Sequence, residues 1–94
     1  MQKKEQPRRK RIKFQVAADH GSEVFLAGTF NDWNPTKRQL TEETPDGIFS
    51  KTLLLPKGRY QYKFVINGVW CIDPECREWE RNKYGSLNSV ITVD

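Results

Sequence analysis

Residues 59–72 read Arg59-Tyr60-Gln61-Tyr62-Lys63-Phe64-Val65-Ile66-Asn67-Gly68-Val69-Trp70-Cys71-Ile72. Asn-Gly between two β-rich runs is the strongest short-range signal for a hairpin with a two-residue type I′ turn. With Asn67 and Gly68 at the turn, Ile66 lies opposite Val69, Val65 opposite Trp70, Phe64 opposite Cys71 and Lys63 opposite Ile72. Side chains alternate between the two sides of a strand. One face therefore carries Tyr60, Tyr62, Phe64, Ile66, Val69 and Cys71, and is the candidate core, with Tyr62, Phe64 and Ile66 inside it. The other carries Gln61, Lys63, Val65, Trp70 and Ile72, and the polar ends of Gln61 and Lys63 keep it wet.

Working outward, further strands recur about every ten residues. Ile12, Phe14, Val16 and Ala18 alternate with Lys13, Gln15 and Ala17, the period of a half-buried strand. A turn cluster at Asp19-His20-Gly21-Ser22 leads to a strand over Glu23–Thr29. Asn31-Asp32-Trp33-Asn34-Pro35 breaks it into a loop. A short strand is expected around Gln39–Thr41, and another over Ile48–Leu55 between Pro45-Asp46-Gly47 and Pro56-Lys57-Gly58. After the hairpin, Asp73-Pro74 stops the chain, a polar connection runs to about Gly85, and Leu87–Val93 is the last strand. Strands at this spacing with no helical period between them predict an all-β fold, an antiparallel β-sandwich.

Length and charge narrow the function. Ninety-four residues make one domain, and a catalytic (β/α)₈ barrel needs about 250. Residues 1–13 hold seven bases and one acid, while the remaining 81 hold nine bases against eleven acids, a formal charge of −2. The basicity thus sits in an arm, residues 1–11, expected to be solvated, disordered and dispensable for ligand binding. The folded domain is residues 12–94. A folded body without positive charge makes nucleic acid an improbable partner. No apolar run reaches the ~20 residues of a membrane span, so no membrane partner is expected. The charged N-terminus lacks the apolar stretch of a secretory signal, and a cytoplasmic location is the expectation. Cys71 and Cys76 are read as two reduced thiols. With one histidine, His20, in a turn, neither a metal site nor a nucleophilic triad is expected, and no cofactor. The acids lie mainly in turns and in the 73–80 connection, where solvated charge is the ordinary reading, so no catalytic pair is assigned.

Two tryptophans need an explanation. Trp70 shares a face with Lys63, a diagonal neighbour within about 8 Å. Periodicity alone leaves two roles open: a ring partly covered by a loop with Lys63 snorkelling over it, or a ligand contact. Trp33 sits in a polar loop and by itself reads as a plug packed back on the sandwich. Trp79 is expected to pack in the core.

Together these residues resemble a known family. Val24-Phe25-Leu26-Ala27-Gly28-Thr29-Phe30-Asn31-Asp32-Trp33-Asn34-Pro35 resembles the opening motif of the family 48 carbohydrate-binding modules. These include the glycogen-binding domain of the AMP-activated protein kinase β subunit and the N-terminal domains of glycogen branching enzyme and isoamylase. The run from Leu55 to Val65 resembles the family's central strand. Asn67-Gly68-Val69-Trp70 followed by Asp73-Pro74 resembles the next motif, and Gly85-Ser86-Leu87-Asn88-Ser89-Val90 the closing strand. Four motifs in order, from about Ile12 to Asp94, make a specific match.

The resemblance implies an immunoglobulin-like sandwich that binds α-1,4-linked glucan without catalysis. It carries the family's two site tryptophans, lysine and asparagine onto Trp33, Trp70, Lys63 and Asn88. Tyr84 and Ser86 stand where the kinase domain has a leucine and a threonine. Aromatic rings suit the C–H faces of glucose at small rotamer cost, and lysine and asparagine suit its hydroxyl rim. The implied partners are an α-glucan and a protein of glycogen metabolism. The alternatives are an immunoglobulin-like protein-interaction domain, or an accessory piece of a larger amylolytic enzyme.

Overall fold

The computed structural model describes residues 9–94 as eight strands and one short 3₁₀ turn. The strands are β1 (Arg9–Ala17), β2 (Val24–Gly28), β3 (Thr41–Thr44), β4 (Ile48–Pro56), β5 (Gly58–Ile66), β6 (Val69–Cys71), β7 (Trp79–Arg81) and β8 (Leu87–Val93). They form two antiparallel sheets. One has the order β1-β4-β3, and the other has the order β2-β5-β8-β7 with β6 also on β5. The all-β sandwich read from the sequence is the observed architecture.

The hairpin has the expected register, with Phe64 opposite Cys71, Val65 opposite Trp70 and Ile66 opposite Val69. Asn67 and Gly68 have φ of 50° and 84°, the pair of left-handed residues that a type I′ turn requires. β5 is the central strand of its sheet. Its second half pairs with β2 on one side and β6 on the other, and its first half pairs with β8.

Tyr62 and Phe64 point from β5 into the core, where Phe14, Val16, Val24, Leu26, Leu40, Phe49, Leu53, Leu55 and Val93 surround them. Phe14 meets Tyr62 edge-on at 4.9 Å between ring centroids, and Tyr62 meets Phe64 at 5.9 Å. Edge-to-face contacts of this kind add about 0.5–1.5 kcal/mol beyond area burial. The Tyr62 hydroxyl donates to Asp73 Oδ2 at 2.7 Å. Burial first, and then this hydrogen bond, raise the phenol above its ordinary pKa, so it remains a donor. Asp73 in turn accepts from the Glu75 amide, and its own amide donates to Ser89 Oγ at 2.9 Å. The Asp73-Pro74 corner is thereby fastened to β5 and β8.

Several expectations are corrected. β1 begins at Arg9, paired with Pro56, so residues 9–11 of the expected arm are strand; the rest of that arm, residues 1–8, lies outside the described residues. The strand expected at Gln39–Thr41 is instead β3, Thr41–Thr44, three residues later at its far end, with Gln39 making one isolated bridge to Phe25. Val69, placed on the core face, is 62% exposed, at the end of a strand of only three residues. Val65, on the outer face, is buried. Phe25 and Trp70 lie opposite it on its two sides and cover it. The connection expected before Gly85 contains β7, and its Trp79 is 47% exposed rather than in the core. Trp79 pairs with Ser89 on the core-facing side, but three opposing strands do not reach the end of the larger sheet.

Gly28 ends β2 where the chain passes closest to β5. A Cβ there would lie 2.6 Å from the Gln61 carbonyl oxygen and 2.8 Å from the Phe30 ring. Gly28→Ala is expected to cost about 1–3 kcal/mol, as overpacking does, read as a lower urea midpoint. An unchanged midpoint would mean that β2 and β5 are free to separate at this point.

Candidate functional site

The outer face of β5 alternates Arg59, Gln61 and Lys63 with the core positions. Beside it on β8 stands Asn88, opposite Glu80 of β7. Three further segments rise around this face. β6 contributes Trp70, 44% exposed. The loop after β2 contributes Trp33, and the turn between β7 and β8 contributes Tyr84 and Ser86. Trp33, Lys63, Trp70, Tyr84, Ser86 and Asn88 all line one open groove of about 700 Å³. Thr29, Gln61, Asn82 and Lys83 line it too.

Trp33 reaches the groove through a constrained loop. After the 3₁₀ turn Thr29–Asn31, Asp32 and Trp33 are both left-handed, with φ of 55° and 59°. Asn31 is buried and pins the loop, accepting from the Gly28 amide at 3.0 Å and donating to the Leu26 carbonyl at 2.9 Å. The Trp33 amide donates to the Gly28 carbonyl at 2.9 Å. A bulky residue with positive φ costs about 1–3 kcal/mol and persists where its surroundings over-determine it. Trp33 is half-buried, so the plug reading accounts for part of the ring and leaves the rest to the groove.

The turn carrying Tyr84 is built on Asn82, a residue the sequence reading missed. Asn82 Oδ1 accepts from the amides of Tyr84 (2.9 Å) and Ser86 (3.1 Å). Its Nδ2 donates to Ser86 Oγ (2.7 Å) and Asn88 Oδ1 (3.2 Å). Asparagine two residues before a turn's tip is the ordinary Asx-turn signal, and Asn82-Lys83-Tyr84-Gly85 displays it. Tyr84 is held outward, 82% exposed, with Lys83 Nζ 5.4 Å from its ring centroid. Gln61 was the other omission. It lies on the Lys63 face, accepts from Asn88 Nδ2 at 2.8 Å and donates to Glu80 at 3.3 Å.

The inventory of used and unused hydrogen-bond capacity defines what the floor offers. Ser86 Oγ accepts from both Lys63 Nζ (3.1 Å) and Asn82, which leaves its O–H as a donor. Lys63 keeps two of its three N–H groups. Asn88 is 5% exposed and bonded to Gln61 and Asn82, with one amide hydrogen uncommitted. Among the described residues, no carboxylate lines the groove. The site is apolar on its walls and donor-rich on its floor, suited to a ligand that presents C–H faces and many oxygen acceptors.

Two outcomes follow. Trp33→Gly and Trp33→Ala both remove the ring, but only alanine keeps the left-handed penalty. The glycine variant is expected to be about 1 kcal/mol more stable than the alanine variant by thermal melting; the reverse order would place no strain at Trp33. Asn82→Ala is expected to abolish hydrogen-exchange protection at the Tyr84 and Ser86 amides and to cost about 1–2 kcal/mol. Unchanged protection would show that the turn stands without this side chain.

Residues 10–94 match the family described as the glycogen recognition site of AMP-activated protein kinase. The chain is 38% identical over 76 residues to 5'-AMP-activated protein kinase subunit beta-2 of Homo sapiens, covering 81% of this chain and 26% of that protein. It is 40% identical over 73 residues to subunit beta-1 of Bos taurus, covering 78% and 25%. It is 39% identical over 83 residues to Protein FLOURY ENDOSPERM 6, chloroplastic, of Oryza sativa subsp. japonica, covering 88% and 15%. The chain thus spans about a quarter or less of the length of these relatives. A match over nearly all of the described fold places the chain in the glycogen-recognition family of carbohydrate-binding domains.

Proposed function

We propose that the groove over β5, β6 and β8 is where this domain holds an α-1,4-linked glucan, as a binding surface and not as a catalyst. Glucan binding follows from the family; the assignment of residues is the step added here. Trp70 and Trp33 stack on glucose rings, and Tyr84 adds a third aromatic surface. Lys63 and the Ser86 hydroxyl donate to sugar oxygens, and Asn88 completes the floor. The observation that carries this reading is the convergence of all six residues, from five separate segments, on one open groove.

The donor-rich floor supports it, since glucose hydroxyl, ring and glycosidic oxygens all accept. The lining supports binding without hydrolysis, because glycosidases place two carboxyl groups about 5–10 Å apart across the scissile bond. A shallow groove of this kind gives affinities of about −4 to −8 kcal/mol, millimolar to micromolar.

The test is calorimetric titration with maltoheptaose, with a cello-oligosaccharide as control. Trp70→Ala is expected to lose about 1–3 kcal/mol, the value of an aromatic ring stacked on a flat ligand. Its melting temperature is expected to fall by a few degrees with the domain still folded, because the indole is nearly half exposed but covers one side of Val65. Lys63→Ala is expected to lose less, about 0.5–1.5 kcal/mol for one donor. Wild-type affinity in a folded Trp70→Ala variant would place the glucan elsewhere.

A further inference from the structure

β4 is longer than the strand that covers it. It runs from Ile48 to Pro56, but β3 pairs only with Ile48, Phe49 and Ser50. Among the described residues, no backbone group pairs with the β3-side edge of Lys51–Leu55. A free edge is a row of unpaired N–H and C=O groups, a template for another strand.

That edge lies along a groove of about 550 Å³. All six consecutive residues from Lys51 to Pro56 line it. Residues on one face of a strand alternate, so an unbroken run means that the groove follows the strand's edge. Six strand residues span about 20 Å. Phe30 and Tyr60 form its apolar wall, and Leu54, 56% exposed, its rim. Arg9, Arg38 and Lys51 supply three positive charges, and among the described residues no acidic one lines it. None of the three is in an ion pair among the described residues.

Two of these cations break the rules of the fold. Lys51 pairs with the buried Phe14 and lies between Phe49 and Leu53, both core residues, so it occupies a core-facing register position. The Arg38 Nε–H is buried and has no acceptor. A buried unsatisfied donor calls for a ligand or a reason. An inward-pointing charge on a free edge also discourages self-pairing. A second copy would bring the same three cations to the contact. The chain's own residues 1–8 hold three bases and one acid, a net charge of the same sign as the groove.

We propose that the open edge of β4 is a docking site for an extended acidic segment of a partner protein, added as a strand beside Lys51–Leu55. Its backbone pairs with the free edge. Its carboxylates meet Arg38 and Lys51, with Arg9 on β1 across the end of β4, and its apolar side chains lie against Phe30 and Tyr60. Strand addition draws affinity from main-chain hydrogen bonds and specificity from alternate side chains. This surface is separate from the glucan groove, and the inference does not rest on the proposed sugar contacts.

The experiment is an NMR titration of the ¹⁵N-labelled chain with three end-blocked peptides at roughly millimolar concentration. One alternates Glu and Val, one alternates Lys and Val, and the third is the Glu peptide N-methylated at alternate amides. The acidic peptide is expected to shift the amides of residues 51–55 and to slow hydrogen exchange at the alternate ones that point away from β1. The basic and N-methylated peptides are expected to do neither. Arg38→Glu with Lys51→Glu is expected to weaken the acidic peptide about tenfold, two charge pairs being reversed, while maltoheptaose affinity stays at the wild-type value. Silence at residues 51–55 overturns the proposal. So does equal binding of the N-methylated peptide, which would be a charge contact only, and so does a response confined to the glucan groove. The peptide comparison stands without the protein variant, so a failure of that variant to fold leaves the outcome decided.

Discussion

The two-residue alternation of β5 is the constraint on which the rest depends. Its odd and even positions do different work on a single strand. Tyr62 and Phe64 turn inward and form the centre of the core. Gln61 and Lys63 turn outward and form the floor of the groove. A slip of one residue would exchange them all. The register is held from three sides, by β2, β6 and β8, and by the Asn67-Gly68 turn. Tyr62 links the two faces. Its hydroxyl fixes Asp73, and Asp73 fixes the corner between β6 and the approach to β7. The inner face thus determines where the segments bearing Trp70 and Tyr84 leave and return.

The upper part of the groove is made from loops, yet they are closely held. Asn31 locks the loop of Trp33 with two backbone hydrogen bonds, and Asn82 locks the turn of Tyr84 with four contacts. Two asparagines do the same job on opposite walls. A side chain that matches backbone donors and acceptors at once sets a turn without a long strand behind it. A ligand in this groove would demand less ordering of the walls, a preorganisation that lowers the cost of association for a shallow surface.

Much of this was legible in the sequence. The hairpin register, the buried face of Tyr62 and Phe64, and the shared outer face of Lys63 and Trp70 follow from Asn67-Gly68 and the period of two. The family motifs added Trp33, Tyr84, Ser86 and Asn88. What escaped the reading is what periodicity does not encode. β7 has three residues, too few to show a period, and its charged neighbours read as loop. Trp79 sits on the core-facing side, but alternation gives the side of a sheet and not the width of the sheet opposite. Val65 was placed on the wet face correctly and is nevertheless buried, because its cover comes from Phe25, on a strand far away in sequence. Asn82 carries an Asx-turn signal, but its bonds to Ser86 and Asn88 depend on a turn that β7 places beside β8.

The unequal sheets explain the features that neither hydrophobic pattern nor motif anticipates. Five strands face three, so the far end of the larger sheet stays uncovered and its outer loops are free to build walls. β3 stops after four residues because the chain from Arg38 to Leu40 is first held along β2, by the Leu26 amide on the Arg38 carbonyl and the Leu40 amide on the Val24 carbonyl. Those residues are spent on the edge of the larger sheet and are not available to lengthen β3. The edge of β2 is closed and the edge of β4 is left open as a single consequence. The 3₁₀ turn Thr29–Asn31 stands between the two results, with Thr29 lining the groove over β5 and Phe30 lining the groove beside β4. Gly28 brings that turn close enough to β5 to serve both.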